Sequence, residues 1–270
     1  MVNDIILGQY MPTGSLVHRA SPKIKIISLF LLTFSIFLIK DSYLYFYFLA
    51  ASVFILKIAG LKTSYLLKGL KPLIFVFVLT FFLNIMFSEG DKILWEWGLV
   101  KITEEGLIYS FKFFMKVTLL VIYATLLTLT TSPVELSDGM EDCLKPLKYV
   151  KFPVHEFSLM MTIALRFIPT LVMEIDKIKK AQEARGANFS EGNLMGRVKN
   201  FIPILIPLFI TSFKRADELA VAMESRCYMG GEGRSRYRRK KDGFSDYVML
   251  VMVLSVIFPA LVNFFNSLNK

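Results

Sequence analysis

Long apolar runs recur along this chain and constrain its fold more than any other feature. A helix needs roughly 20 residues to cross a hydrocarbon core of about 30 Å, so runs near this length predict transmembrane helices. Hydrophobic residues make up 54% of the sequence and aromatic residues 14%, which excludes an ordinary soluble domain and predicts an integral membrane protein. The apolar runs cover residues 24–39, 43–58, 72–87, 107–131, 157–173, 201–213 and 244–261.

Basic residues between these runs predict the orientation of the chain. Lys and Arg occur before residue 24 and in the connectors 59–71 and 132–156, whereas the loop 88–106 is rich in Glu and Asp. The positive-inside rule then places the N-terminus and the basic connectors in the cytoplasm, and four spans return the chain there by about residue 131. The aromatic residues expected at the outer interface are Tyr43, Tyr45, Trp95 and Trp97.

The runs 157–173 and 201–213 need separate treatment because a basic segment, 177–199, lies between them. If the first run crossed, alone or as a hairpin with the second, that segment would lie outside, against the positive-inside rule. The second run is also short, and Pro203 and Pro207 are expected to break its helical hydrogen bonding. We therefore predict that neither run crosses the bilayer.

These assignments give the predicted fold class, an all-α polytopic membrane helix bundle of about five spans with a cytoplasmic-side module of long helices. Residues 1–131 form the N-terminal region and four transmembrane helices. Residues 132–242 form the cytoplasmic module, and residues 243–270 form the last span, which places the C-terminus outside. The basic run 234–241 is typical of an anchor to anionic lipid headgroups. Since topology explains the net charge of +10, we expect no nucleic acid as a partner.

Polar residues recur at intervals of four through the run 157–173 and beyond it. This spacing places them on one stripe of a helix whose other faces are apolar. An arginine facing lipid is costly, so Arg166 is expected to face protein or the interface. A structural pair of Arg166 with Glu174 or with another carboxylate is the favoured interpretation, and a role in a moving part stays open. The stripe comprises Ser158, Thr162, Arg166, Thr170 and Glu174.

A short internal repeat links two parts of the module. The segment 181–186, AQEARG, matches the segment 222–227, AMESRC, at an offset of 41. The same offset pairs Thr170 with Thr211, Asp176 with Asp217 and Ile178 with Leu219. Each segment ends in an arginine between small residues, which predicts two similar docking helices and a partner with two similar sockets. A simpler alternative is that each arginine only stabilises the negative end of its helix dipole. The glycines expected to end the helices are Gly186, Gly230 and Gly231.

Catalytic and metal-binding patterns are missing from the sequence. No G-x-x-x-x-G-K-[ST] segment occurs, so the chain is predicted not to hydrolyse ATP itself. The two histidines, His18 and His155, are far apart and have no ligand-type residue at metal spacing, which predicts no metal site. Neither H-E-x-x-H nor G-x-S-x-G is present, so we expect no enzyme and no cofactor. Cys143 and Cys227 lie in predicted cytoplasmic segments, where a disulfide is not expected.

Three groups of residues together resemble a known family. The opening of the chain combines Gly8-Gln9-Tyr10 with Pro12, Ser15, His18-Arg19, Pro22 and Lys25. A second segment runs from Leu165-Arg166-Phe167-Ile168-Pro169 through Glu174 to Ala181-Gln182 and Ala184-Arg185-Gly186. The third group is Ser225-Arg226-Cys227, with Ser and Cys where the family more often has Ala and Gly. The pattern is similar to the transmembrane T component of energy-coupling factor (ECF) transporters, the EcfT or CbiQ type.

The resemblance implies a non-catalytic membrane subunit that couples ATP hydrolysis to import. In that family two cytoplasmic coupling helices dock onto two ATPases of the ATP-binding-cassette (ABC) type, and a separate S component binds a vitamin or a transition-metal ion. The unequal arginine motifs favour a heterodimer of ATPases. The ATPase-coupling residues implied here are Ala184, Arg185, Gly186, Ser225, Arg226 and Cys227.

One alternative from another class stays open at this point. A membrane scaffold whose basic amphipathic helices lie on the anionic inner leaflet also accounts for the charges and the apolar runs. It does not account for the internal repeat or for the small residues beside each arginine.

Overall fold

The computed structural model describes residues 10–11, 13–39, 41–71, 74–87, 93–97, 100–187, 189, 194–230 and 243–268. The chain divides into two compact units, which are described separately. The bundle unit takes in Gln9–Cys143 and Lys240–Lys270, and the second unit takes in Leu144–Arg239. Gly8, Gln9 and Pro12 of the opening motif and the basic run 234–241 lie outside the described residues.

The bundle unit is built from apolar helices and one short hairpin. The antiparallel hairpin pairs Trp95 with Ile102 and Trp97 with Val100, and it lies in the segment that the sequence predicts only as an acidic loop. The helices are α1 (Leu16–Arg19), α2 (Pro22–Leu38), α3 (Ser42–Ile58), α4 (Ser64–Leu70), α5 (Ile74–Phe87), α6 (Glu104–Thr130), α7 (Pro133–Leu144) and α10 (Phe244–Leu268), and the strands are β1 (Ile93–Trp97) and β2 (Val100–Thr103).

The second unit contains two helices of equal length. A short 3-10 helix, Lys145–Val150, leads into α8 (Val154–Ala184), and α9 (Leu194–Glu224) packs against α8. Each helix has 31 residues. Pro203 and Pro207 lack the amides of the helical hydrogen-bond ladder, as expected, but α9 continues through both of them. The Thr211 hydroxyl donates to the carbonyl of Pro207 at 2.9 Å, four residues earlier in the same helix.

The helical membrane architecture expected from the sequence is confirmed. Three helices in the described part of the chain are long and apolar enough to cross a membrane, namely Glu104–Thr130, Val154–Ala184 and Phe244–Asn266. Ser42–Ile58 and Ile74–Leu83 are shorter apolar helices. Length and composition alone would let α8 cross, so its placement on the cytoplasmic side stays a prediction from the charges.

The core of the bundle unit lies where α2, α3, α6 and α10 meet. Ile36, Phe48 and Leu119 are fully buried there, and Ala260 of α10 packs into the same cluster. The placement of Tyr45 in an interfacial belt is wrong. Its side chain is fully buried, and its hydroxyl donates to the carbonyl of Ile39 at 3.4 Å.

The segment that follows residue 10 ties together the ends of several bundle helices. The carbonyls in the last turn of a helix have no partner within that helix and need one from elsewhere. The amide of Met11 donates to the carbonyl of Leu129 at 3.1 Å, and the Thr13 hydroxyl donates to the carbonyl of Ala59 at 2.6 Å. Lys25 completes this set, because its buried ammonium donates to the carbonyls of Thr130 at 2.7 Å and His18 at 3.1 Å.

Asp246 connects α10 to the start of α2. Its carboxylate accepts hydrogen bonds from the amides of Ser21 and Gly243, and only 3% of its surface is exposed. This residue was not identified from the sequence. An Asp two residues into a predicted helix is the signal that could have identified it, since acidic residues favour the first turn.

Helix α7 belongs to the bundle unit. A Cβ added to Gly139 would lie 2.8 Å from the Cβ of Pro22, so α7 and α2 approach closely at this glycine. The predicted module 132–242 and the compact unit that begins at Leu144 therefore differ mainly by this helix.

Candidate functional site

Helix α8 ends at the first predicted coupling motif. Arg185 is the C-cap residue, and Gly186 follows in the left-handed region with a φ of 87°. The amide of Gly186 donates to the carbonyl of Glu183 at 2.9 Å, and that of Ala187 donates to Gln182 at 3.0 Å. These two bonds form a Schellman motif, which satisfies carbonyls of the last helical turn. The prediction that Gly186 ends this helix is confirmed.

Helix α9 ends in the same way, but without a glycine. Cys227 has a φ of 57°, and its amide donates to the carbonyl of Glu224 at 2.8 Å. The amide of Tyr228 donates to Met223 at 3.0 Å, which completes a second Schellman motif. Arg226 thus occupies the position in α9 that Arg185 occupies in α8. The left-handed residue of this cap is Cys227 rather than Gly230, and Gly231 lies outside the described residues.

Both ends present an arginine that is accessible to a partner. All six predicted coupling residues, Ala184, Arg185, Gly186, Ser225, Arg226 and Cys227, are exposed. A guanidinium offers a planar set of donors that fits a carboxylate, and small neighbours let another backbone approach. The C-terminal ends of the helices also stabilise these cations, typically by about 0.3–1 kcal/mol. The structure is therefore also compatible with the alternative that each arginine only stabilises the negative end of its helix dipole.

The two caps differ in backbone strain, which predicts opposite effects of two substitutions. The left-handed backbone region costs conformational free energy for a residue with a Cβ, whereas glycine adopts it without this cost. We expect Cys227→Gly to raise the free energy of unfolding by about 0.5–1 kcal/mol and Gly186→Ala to lower it by about 1 kcal/mol. A Cβ on Gly186 would meet nothing within 4 Å, so its effect is conformational only. Thermal unfolding in detergent measures both changes in stability. If the two substitutions changed the stability in the same direction, the difference in backbone strain between the two caps would be contradicted.

The polar stripe is arranged differently from the favoured interpretation. Glu174 forms an ion pair with Arg215 of α9, with 3.0 Å between Oε2 and Nη2. The Arg215 guanidinium also lies 5.8 Å from the ring centroid of Phe167. Arg166 is exposed, and no ion pair of its side chain is found among the described residues. Arg215 was not identified from the sequence, although it stands 41 residues after Glu174, at the offset of the repeat.

The remaining candidate groups bring no further chemistry together. Cys143 and Cys227 are both free, and burial is the main cause that raises the pKa of the Cys143 thiol. No group of three or more metal-ligating side chains occurs within the described ranges.

Comparison with known proteins identifies the family of this chain. The model of the cobalt transport protein family, CbiQ, matches residues 13–237, a range that includes both arginine motifs and the Glu174–Arg215 pair. The chain is also 47% identical over 258 residues to the energy-coupling factor transporter transmembrane protein EcfT of Ruminiclostridium cellulolyticum, covering 96% of each chain. The chain belongs to the EcfT/CbiQ family of transmembrane transporter components.

Other members of the EcfT/CbiQ family match along almost the whole chain. The EcfT proteins of Acidaminococcus fermentans and Bacillus subtilis are each 44% identical over 262 residues. The alignments cover 96% of this chain and 97% and 98% of the two relatives, respectively. The similarity therefore extends to the helical bundle and the two-helix unit together.

Proposed function

We propose that this chain is the coupling subunit of an ATP-driven ECF-type importer, and that Arg185 and Arg226 are its contacts with the ATPases. The ends of α8 and α9 form the same Schellman motif and present an exposed arginine at the same position. This match carries the proposal, because a partner made of two related subunits offers two related sockets. Ala184 and Gly186 flank one arginine, and Ser225 and Cys227 flank the other.

The two partners are ABC-type ATPases, and a heterodimer fits the unequal flanking residues best. When ATP closes the ATPase pair, the two sockets move and displace the helix ends bound in them. Each guanidinium transmits this displacement through charge-assisted hydrogen bonds, which are worth about 1.5–3 kcal/mol apiece. The helices pass the movement to an S component in the membrane, which holds a vitamin or a transition-metal ion. The chain itself performs no catalysis.

The membrane orientation belongs to the same proposal. The N-terminus and the coupling helices lie in the cytoplasm, and the C-terminus lies outside, in a multi-pass protein of the cell membrane. The basic connectors support this orientation. It places both arginines on the side where ATP is available.

Copurification tests the proposal directly. An affinity-tagged chain is extracted from native membranes, and the retained proteins are identified by mass spectrometry. We expect two ABC-type ATPases with the wild-type chain and at least about tenfold less of both with Arg185→Glu plus Arg226→Glu, since each lost contact contributes more than about 1.4 kcal/mol.

The dependence of protein retention on anionic lipid distinguishes the membrane-scaffold alternative from the coupling function. The scaffold predicts that removal of anionic lipid releases bound proteins, whereas arginine reversal on a helix tip changes little. Retention of the ATPases by the double variant, or their loss on exchange into neutral lipid alone, would contradict the coupling function.

A further inference from the structure

Glu174 and Arg215 meet at the crossing of the two coupling helices. They are separated by 41 residues, which is also the offset between Arg185 and Arg226. When two similar segments are related by a two-fold axis, a residue on the axis contacts its own equivalent. A contact between equivalent positions is therefore what an internal two-fold axis between α8 and α9 would produce.

The groove beside this ion pair shows how the two helices run through the crossing. Ile163, Phe167 and Leu171 of α8, which precede Glu174, line the groove together with Leu219 and Met223 of α9, which follow Arg215. The part of α8 before Glu174 thus lies beside the part of α9 after Arg215. The helices are antiparallel at this point, so their C-terminal ends extend away from the crossing on opposite sides.

The two arms that lead from the crossing to the arginines have the same length. Arg185 lies eleven residues after Glu174, and Arg226 lies eleven residues after Arg215. At 1.5 Å per residue each arm is about 16 Å long. Equal arms about one axis displace the two ends by equal amounts when the crossing angle changes.

The repeat places opposite charges at this one contact. If both equivalent positions carried the same charged residue, two like charges would meet at this contact. Glu174 and Arg215 carry opposite charges and attract each other. The pair is partly shielded from water, with 23% of the Glu174 side chain and 29% of the Arg215 side chain exposed. The Phe167 ring holds the guanidinium from a second direction.

We propose that the Glu174–Arg215 pair is the pivot of the two coupling helices and positions Arg185 and Arg226 relative to each other. The proposal rests on the coupling function above. Both residues act through the arms and do not contact the ATPases. Loss of the pair lets α8 and α9 slide and change their angle, so the spacing of the two ends varies and fewer molecules match both sockets at once.

Distance measurements between equivalent positions on the arms test the pivot. Nitroxide labels are placed at Lys180→Cys and Val221→Cys, which are exposed and related by the offset of the repeat. The background carries Cys143→Ser and Cys227→Gly, and the full chain is studied in lipid nanodiscs by pulsed electron paramagnetic resonance. We expect a single narrow distance distribution for this chain and a distribution at least about twice as wide with Arg215→Gln.

Two further variants make the test specific to the pair. The exchanged pair is Glu174→Arg with Arg215→Glu. We expect it to reverse at least half of the broadening of the distance distribution that Arg215→Gln causes. Lys179→Gln is the matched control, because it also removes a cation from an ion pair, here with Glu183 at 3.8 Å within α8. This pair joins no second helix, so we expect the width to stay unchanged.

Binding of the ATPases provides the second readout. Arg215→Gln is expected to lower the affinity for the ATPase pair by about two- to tenfold, with rescue by the exchanged pair. An unchanged width with Arg215→Gln overturns the pivot, and so does broadening that the exchange leaves in place. Failure of the wild-type chain to bind ATPases overturns the coupling function instead, and the distance distribution still decides the pivot.

Discussion

Reversal of both arginine charges is expected to reduce ATP-driven substrate uptake by at least tenfold. Each of Arg185→Glu and Arg226→Glu removes a set of charge-assisted hydrogen bonds worth about 1.5–3 kcal/mol and places like charges against an acidic socket. Two such losses exceed the value of about 1.4 kcal/mol that corresponds to a factor of ten. Both residues are exposed, so the fold is not expected to change. The measurement is uptake into proteoliposomes that contain the ATPases and an S component.

A matched double reversal controls for surface charge. Lys177→Glu and Lys214→Glu change the same charges on α8 and α9, at exposed positions before the helix ends. We expect this control to retain most of the wild-type uptake. Wild-type uptake by the double arginine variant would contradict the assignment of both arginines, and an equal loss in the control would show a general effect of charge.

Replacement of Lys25 by methionine is expected to destabilise the bundle unit strongly. Methionine fills a similar volume but cannot donate to the carbonyls of His18 and Thr130, which the buried ammonium satisfies. A buried polar group left without a partner costs about 1–3 kcal/mol. We expect Lys25→Met to lower the free energy of unfolding by about 2 kcal/mol or more, as measured by thermal unfolding in detergent.

Lys23→Met is the control for this prediction. Lys23 lies on the same first turn of α2 and is exposed, whereas only 2% of the Lys25 surface is exposed. A surface substitution of this kind is usually within about 0.5 kcal/mol of neutral. Equal melting temperatures for the two variants would contradict the role assigned to the Lys25 ammonium.

The ends of α8 and α9 show which features of a helix end the local sequence pattern predicts and which it does not. The repeated spacing of Ala, Glu and Arg predicts two similar helix ends, and both form the same cap. The sequence points to Gly230 as the end of the second helix, because glycine adopts the left-handed region most readily. The structure uses Cys227 instead, since the hydrogen bonds of the cap outweigh a modest cost at a single residue.

Partner choice across helices is where the sequence alone fails. Arg166 and Glu174 share one stripe of α8, which makes a pair within the helix the simplest interpretation. The structure pairs Glu174 with Arg215, because a stripe facing another helix finds its partners there. In the same way, the pattern does not reveal that Tyr45 is buried, since an aromatic residue in a membrane helix suits both an interface and a core.

The sequence by itself determined the membrane class, the helical architecture and the two arginine-bearing helix ends. These follow from composition, the period of the apolar residues and local repeats, all of which act over a few turns of chain. Only the tertiary structure decided that Lys25 satisfies carbonyls on two helices, that Asp246 joins α10 to α2, and that Glu174 meets Arg215. These contacts join residues far apart in sequence, and packing selects them from many partners that local pattern allows equally.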